Sequence, residues 1–147
     1  MKTINLLFSL LIIVSLITFS NCGDNKKDPE PTEAEKTTKL LTAATWKLQS
    51  LTIDGVSDSN FFKGLTITFS ATGYTTTNGD PIWPASGTWD YSDGPTSARK
   101  IKRNDNVEVT IDEITASNLT LSLQWDKTTT GGRTSSIPGK HIFKLTP

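Results

Sequence analysis

The spacing of apolar residues changes twice along this chain of 147 residues and divides it into three segments. An apolar run covers residues 4–20, and residues 23–39 then contain neither aromatic nor large aliphatic side chains. From Thr45 onward apolar and polar residues alternate with a period of two, which is the spacing of half-buried β-strands. The pattern therefore predicts a hydrophobic leader, a polar connection and one β-rich domain.

The alternating segment predicts eight β-strands. Each run is rich in β-branched and aromatic residues, with one apolar face and one polar face. The runs are TWKLQSLTI, LTITFS, GYTTT, SGTWDY, ARKIKR, VEVTI, NLTLSLQW and KHIFKL. Turn signals such as Asp54-Gly55 and Asn78-Gly79 separate them and favour antiparallel pairing of consecutive strands. We expect an all-β fold, a small eight-stranded antiparallel up-and-down barrel, because closure removes exposed sheet edges.

A short helix is predicted immediately before the first strand. Thr32 and Glu35 have the spacing of a capping box, in which each side chain satisfies a backbone N–H of the other residue. The stretch AEKTTKLLTAA would then turn Leu40 and Leu41 toward the domain and cover one end of the barrel.

The first segment has the three-part plan of an export signal. Lys2 supplies the positive start, the apolar run follows, and small or polar residues precede Cys22. A membrane-spanning helix is the alternative. Such a helix needs about 20 predominantly apolar residues, whereas this run is slightly short and is interrupted by Asn5, Ser9 and Ser15.

Residues Phe19 to Cys22 resemble the processing site of a bacterial lipoprotein signal, in which an invariant cysteine becomes the first residue of the mature chain. The resemblance implies that the Cys22 thiol carries a diacylglyceryl group and that its amine takes a further acyl chain such as palmitate. Two or three chains would hold the protein in a membrane. An unpaired buried thiol is the alternative role for Cys22.

The polar connection predicts a mobile tether, because it cannot bury enough apolar surface to offset the entropy of ordering it. Its Lys26, Lys27 and Asp28 resemble the charged patch of surface-exported lipoproteins of the Bacteroidetes type. A plain solvated linker is the alternative. We expect a signal peptide over residues 1–21, a flexible charged tether over 22–39 and a barrel domain over 40–147. The location implied is the outer membrane, lipid-anchored, periplasmic or surface-exposed.

The folded segment resembles the lipocalin-like domain of small bacterial lipoproteins. The stretches that carry the resemblance are LLTAATWKLQSLTIDG, LTITFSATGYTTTNG, ASGTWDY and GGRTSSIPGKHIFKL. Trp46 would correspond to the tryptophan of the family's Gly-x-Trp signature, which packs across the closed end of the barrel. The resemblance implies the barrel fold and, as a function, the binding of a small hydrophobic molecule.

An eight-stranded barrel either fills with side chains or holds one small ligand. The sequence therefore leaves two functions open: a small hydrophobic ligand inside the barrel, or a filled barrel that recognises a glycan or a protein at its surface. The candidate ligand-binding residues are Phe69, Tyr74, Trp83, Trp89, Trp125 and Arg133.

Two of these candidates have alternative roles. Trp83 lies between Pro81 and Pro84 and would either expose its indole for recognition or fold down over the barrel mouth. Arg133 would either bind an anion or gate the mouth, or be an ordinary loop cation.

The remaining composition argues against catalysis and nucleic-acid binding. The formal net charge is zero, which gives no electrostatic footprint for nucleic acid. The sole histidine, His141, falls in the alternation of the last strand, where a structural role is expected. The sequence contains neither a Cys/His cluster nor a Gly-rich phosphate loop. We expect a monomeric binding protein with no catalytic residue, metal site or cofactor.

Overall fold

The structure, a computed structural model, describes residues 29–58, 60–127 and 137–147. The predicted signal peptide, Cys22, the first part of the tether and Arg133 lie outside the described residues. Residues Pro31–Pro147 form one compact unit. The folded part thus begins at Pro31, ahead of the predicted boundary at residue 40, because the helix before the first strand packs as part of this unit. In the part of the chain that is described, no helix is long and apolar enough to cross a membrane.

In the described residues, the compact unit contains one helix and nine strands. They are α1 Glu33–Leu41, β1 Thr45–Ile53, β2 Val56–Ser57, β3 Thr66–Phe69, β4 Gly73–Thr77, β5 Ser86–Tyr91, β6 Lys100–Arg103, β7 Glu108–Ile114, β8 Leu119–Trp125 and β9 Gly139–Thr146. All eight predicted strands are present, and the two-residue β2 is the addition that the alternation did not predict. Asp54 and Gly55 form the tight turn between β1 and β2 with φ angles of 48° and 83°, as the Asp-Gly signal predicts.

The strands form a closed antiparallel barrel of eight strands, β1 and β3 to β9, with β2 added as a short hairpin beside β1. Closure depends on the length of β1. Its start pairs with β3, where Trp46 faces Ile67, and its later part pairs with β9, where Leu51 faces Phe143. The two pairings overlap at Lys47, and a register shift between Leu48 and Ser50 lies within the β1–β9 ladder. This architecture is consistent with the predicted small lipocalin-like barrel.

The strand directions give the barrel two distinct ends. We call one the helix end, where α1 and the connections 70–72, 92–99 and 115–118 lie. We call the other the Trp83 end, where the connections 54–65, 78–85 and 104–107 leave the strands.

The helix end is closed by apolar packing and by hydrogen bonds of the helix. The predicted capping box starts α1: the Thr32 N–H donates to Glu35 Oε2 at 2.7 Å, and the Glu35 N–H donates to Thr32 Oγ1 at 3.2 Å. At the other end of the helix, Trp46 Nε1 donates to the Leu41 carbonyl oxygen at 2.9 Å. Leu41 and Trp46 are both completely buried.

Tyr91 at the end of β5 ties α1 to the barrel. Its hydroxyl lies 3.0 Å from Thr38 Oγ1 and also donates to the Ala34 carbonyl oxygen at 3.3 Å. The Ala34 N–H in turn donates to the Pro95 carbonyl oxygen at 3.1 Å. The helix is therefore held by directional bonds as well as by Leu41.

Tyr91→Phe tests how firmly the helix is held. Removing the hydroxyl is expected to lower the free energy of unfolding by about 1 kcal/mol, because two hydrogen bonds are lost in a part-buried site. Urea denaturation measures this change, and hydrogen exchange should quicken in Glu33–Leu41.

The matched control is Tyr74→Phe, since the Tyr74 hydroxyl is buried without a hydrogen-bond partner. Its removal should be neutral or slightly stabilising. An equal loss of stability in the two variants would contradict the assigned role of Tyr91.

Candidate ligand-binding site

A chain of aromatic rings runs through the barrel interior from one end to the other. Starting near the helix end, successive ring centroids are 5.2 to 6.5 Å apart, and most pairs meet edge to face. The rings, in order, are those of Tyr91, Trp89, Phe69, Tyr74, Trp83 and Phe143. Such contacts add about 0.5 to 1.5 kcal/mol per pair beyond area burial. Four predicted site residues, Phe69, Tyr74, Trp83 and Trp89, are thus brought together.

Trp83 is completely buried, so the alternative of an exposed indole is wrong and the inward-folded alternative is confirmed. Its loop is well fixed. The Trp83 N–H donates to the Gly79 carbonyl oxygen at 2.8 Å, and Thr76 Oγ1 donates to the carbonyl oxygens of Trp83 and Pro84 at 3.2 and 2.8 Å. A side chain on Gly79 would collide with Trp83, because an added Cβ would lie 2.6 Å from Trp83 Cβ.

Arg103, a buried cation beside Trp83, was not among the predicted site residues. Its side chain has no exposed surface. The signal was present in the alternation: Arg103 is two residues after the buried Ile101 on β6, so period two places both on the inward face. Charged residues are almost never fully buried unless paired, and Arg103 has such a partner two residues later.

Asp105 pairs with Arg103 through one edge of the guanidinium. Arg103 Nε donates to Asp105 Oδ1 at 3.1 Å, and Arg103 Nη2 donates to Oδ2 at 2.5 Å. Burial disfavours the ionised carboxylate, but the hydrogen bonds and charge of Arg103 outweigh it and hold the pKa of Asp105 below its ordinary value. Asp105 is therefore ionised at neutral pH.

Aromatic rings flank the guanidinium on its other sides. Arg103 Cζ lies 4.7 Å from the Trp83 ring centroid and 5.8 Å from that of Tyr74. These distances allow cation–π attraction, which is stronger in a desolvated site than at the surface. We call Tyr74, Trp83, Arg103 and Asp105 the Arg103 cluster.

Several buried polar atoms at or next to the Trp83 end have no hydrogen-bond partner. One other such atom, Asp93 Oδ1, lies at the helix end, in the 92–99 connection. The others among the described residues are Tyr74 Oη, Trp83 Nε1, Arg103 Nη1, Trp125 Nε1 and His141 Nε2. Native interiors leave few polar groups unsatisfied, and each such group costs about 1 to 3 kcal/mol. The concentration of these atoms in one half of the barrel distinguishes the Trp83 end from the helix end.

His141 is one of these residues and is completely buried. Its Nδ1 lies 3.0 Å from the Gly139 carbonyl oxygen, so Nδ1 carries the proton and the unpartnered Nε2 is an acceptor. The imidazole stacks on Phe143 at 6.0 Å. Burial lowers the pKa of His141, although the Gly139 carbonyl and Asp54 oppose the shift.

Trp125, the remaining predicted aromatic, is buried on β8 but makes no ring contact with the aromatic chain among the described residues. Lys127 Nζ lies 5.4 Å from its ring centroid. A cleft of about 270 Å³ lies beside it, where the β7–β8 ladder ends. Trp125 therefore belongs to the barrel wall rather than to the Arg103 cluster.

The interior around the Arg103 cluster is filled in this structure. The exposed fraction is 0% for Trp83, Ile82 and Phe143. A side chain without accessible surface touches neither solvent nor an internal space that could hold a water molecule. Any molecule that reaches Arg103 must therefore displace a side chain. Trp83 is the candidate for displacement, because it lies in a loop rather than on a strand.

A groove of about 420 Å³ runs along β5 and β6. Its outward side chains are uncharged or carry opposite charges: Thr88, Asp90, Ser92, Lys102, Asn104 and Asn106. Among the described residues, no group of three or more His, Cys, Asp or Glu side chains is placed to hold a metal ion.

Comparison of the chain with protein-family models, with curated proteins and with solved structures gave no significant match.

The free energy of unfolding should depend on pH near neutrality because of His141, the only histidine in the chain. Because burial lowers the pKa of His141, the folded protein binds this proton more weakly than the unfolded chain does. In the unfolded chain the histidine titrates near pH 6.5. Stability is therefore fully present above about pH 6.5 and is lost as the pH falls below it, by up to about 1.4 kcal/mol per pH unit.

His141→Leu should abolish this slope between about pH 5 and 6.5, because His141 is the only histidine in the chain. Chemical denaturation at a series of pH values measures it. An unchanged slope in the variant would show that His141 is not buried in its neutral form.

Proposed function

We propose that this protein is a lipid-anchored protein of the bacterial cell envelope whose lipocalin-like barrel binds a small, mostly apolar ligand at the Trp83 end. Acyl chains on Cys22 anchor the protein in the outer membrane. The barrel lies on the periplasmic or the outer side of that membrane. Support for the anchor comes from the order of apolar run, Cys22 and polar tether. The binding role is that of a carrier or receptor rather than an enzyme.

The observation that carries the binding proposal is the set of unpartnered polar atoms inside an aromatic wall. Small-molecule sites are lined mostly by apolar and aromatic side chains with a few polar groups that fix the ligand's orientation. The Arg103 cluster and Phe143 have this composition. The helix end, by contrast, satisfies the indole N–H of Trp46. The unsatisfied donors therefore favour the Trp83 end as the place where a ligand replaces protein atoms.

Trp83 is proposed to occupy the ligand's place when the site is empty. Its loop, residues 78–85, connects β4 to β5 at the rim, and the indole lies directly on the Arg103 guanidinium. Opening this loop would expose Ile82 and Trp83 to water. It would also free Trp83 Nε1, Tyr74 Oη and Arg103 Nη1 to form hydrogen bonds, which offsets part of that cost.

Recognition of a glycan or a protein at the barrel surface is the second candidate. The groove along β5 and β6 favours it, since hydroxyl groups, amide groups and charged groups of opposite sign line an open cleft there. Under this alternative the interior stays filled, and Trp83 serves only the core.

Cys22→Ser tests the anchor. Serine cannot form the thioether that carries the diacylglyceryl group, so the variant should appear in the soluble fraction of producing cells, while the wild type pellets with membranes. Labelling with radioactive palmitate should mark the wild type only. Palmitate incorporation into the serine variant would contradict lipidation at Cys22.

Trp83→Ala tests the ligand site, because it removes the side chain proposed to occupy it. The variant should lose about 3 to 5 kcal/mol of stability. When the full chain is isolated from producing cells in detergent, native mass spectrometry should find a co-purified small molecule at several-fold higher occupancy than in the wild type.

Trp46→Ala is the matched control, since it removes an equally buried indole at the helix end. Its occupancy should stay at the wild-type level. Equal occupancy in the two alanine variants, or an empty Trp83→Ala protein, would favour surface recognition instead.

A further inference from the structure

The Arg103 guanidinium is satisfied on one edge only. Asp105 accepts from Nε and Nη2, while Nη1, at the opposite corner, is buried with no partner. A guanidinium has five N–H donors, and two of them belong to Nη1. Two donors of a fully buried cation thus lack acceptors.

Two side chains that lie against the guanidinium also carry polar atoms without partners. Tyr74 Oη and Trp83 Nε1 are also buried and unpartnered, and their rings are 5.6 Å apart at an interplanar angle of 88°. Both rings also contact the guanidinium, so these three side chains meet at one place. Arg103 Nη1 and Trp83 Nε1 can only donate, and the Tyr74 hydroxyl can donate or accept, so an added acceptor could satisfy all three groups.

The charge of the cluster is already balanced. Asp105 supplies one negative charge against the one positive charge of Arg103, and its side chain is only 28% exposed. A carboxylate or phosphate entering the site would bring a second negative charge into a poorly solvated place with no cation left to pair it, which is strongly unfavourable. An uncharged acceptor would satisfy the same N–H groups without that cost.

We propose that the Arg103 cluster binds the uncharged hydrogen-bond acceptor of a ligand, such as an amide, ketone or ester carbonyl, and discriminates against carboxylates. This inference rests on the proposed ligand site at the Trp83 end. The apolar part of the ligand packs against Phe143 and the aromatic chain, and its carbonyl oxygen accepts from Arg103 Nη1. Asp105 is a specificity-determining residue, because it neutralises Arg103 without covering Nη1.

Benzamide and benzoate test the proposal, because they match in shape and differ in charge. Both dissolve well in water and are titrated by ligand-observed NMR into the full chain held in amphipol, at about pH 7.5 where benzoate is ionised. Benzamide should bind at least about tenfold more tightly than benzoate. Toluene, which lacks an acceptor, should bind more weakly than benzamide.

Asp105→Asn is the decisive variant. It removes the neutralising charge and keeps a side chain of the same shape, so the preference should reverse in favour of benzoate. Trp83→Ala, which opens space on the guanidinium, should tighten benzamide binding and keep the wild-type order of ligands. If Asp105→Asn does not fold, the order of the three ligands in the wild type and in Trp83→Ala still decides the proposal.

The outcomes separate this inference from the function on which it rests. Benzoate binding as tightly as benzamide in the wild type would overturn the neutral-acceptor proposal and leave the ligand site intact. The same holds if the Asp105→Asn variant keeps the wild-type order. No binding of any of the three compounds to wild type or to Trp83→Ala would overturn the ligand site itself.

Discussion

The Trp83 end of this barrel depends on one ion pair between Arg103 and Asp105. A guanidinium without exposed surface is stable only because a carboxylate accepts from two of its nitrogens and aromatic rings lie against it. The β6–β7 turn is shaped to hold that carboxylate: Asp105 Oδ1 also accepts from the Val107 N–H at 3.2 Å, and the Arg103 N–H donates to the Val107 carbonyl at 3.0 Å. Removing either charge would leave the other buried and uncompensated, at a cost of about 3 to 5 kcal/mol.

A glycine on the neighbouring strand β5 provides space for the side chains around the Arg103–Asp105 ion pair. Gly87 on β5 faces Tyr74 on β4, and an added Cβ at Gly87 would lie 2.5 Å from Tyr74 Oη. The absent side chain lets the Tyr74 ring lie across β5 and reach the guanidinium. The two ends of the barrel thus differ in kind: one is closed by a helix with its indole N–H satisfied, the other by a loop tryptophan over polar atoms that lack partners.

Much of this fold could be predicted from the sequence, because each strand of a closed barrel has one solvent-exposed face and one buried face. The run TWKLQSLTI matches β1, the run SGTWDY matches β5, and the Thr32–Glu35 capping box starts α1 as expected. The short β2 could not be predicted, since two residues carry no period. The boundary of the folded unit was placed too late because residues 31–39 are polar, and their order comes from contacts such as that between Tyr91 and Ala34.

The site was predicted less completely, for a physical reason. Aromatic residues at inward positions identified Phe69, Tyr74 and Trp89, but Trp83 lies in a loop, where alternation does not say which way a side chain turns. Arg103 obeyed the alternation and was overlooked because arginine is usually a surface residue. Its partner Asp105 is in a turn. A charged residue at an inward position, followed closely by the opposite charge, is the signal that would have found this site.

¹⁵N NMR of the Arg103 guanidinium in the full chain tests whether Asp105 holds it on one edge only. If the guanidinium is buried and held on one edge by Asp105, rotation about its bonds is slow, and Nη1 and Nη2 give separate signals that Asp105→Asn merges. Added benzamide should then shift the Nη1 signal and leave Nη2 in place. A single averaged signal, as from an arginine in water, or a benzamide shift at Nη2, would contradict the account.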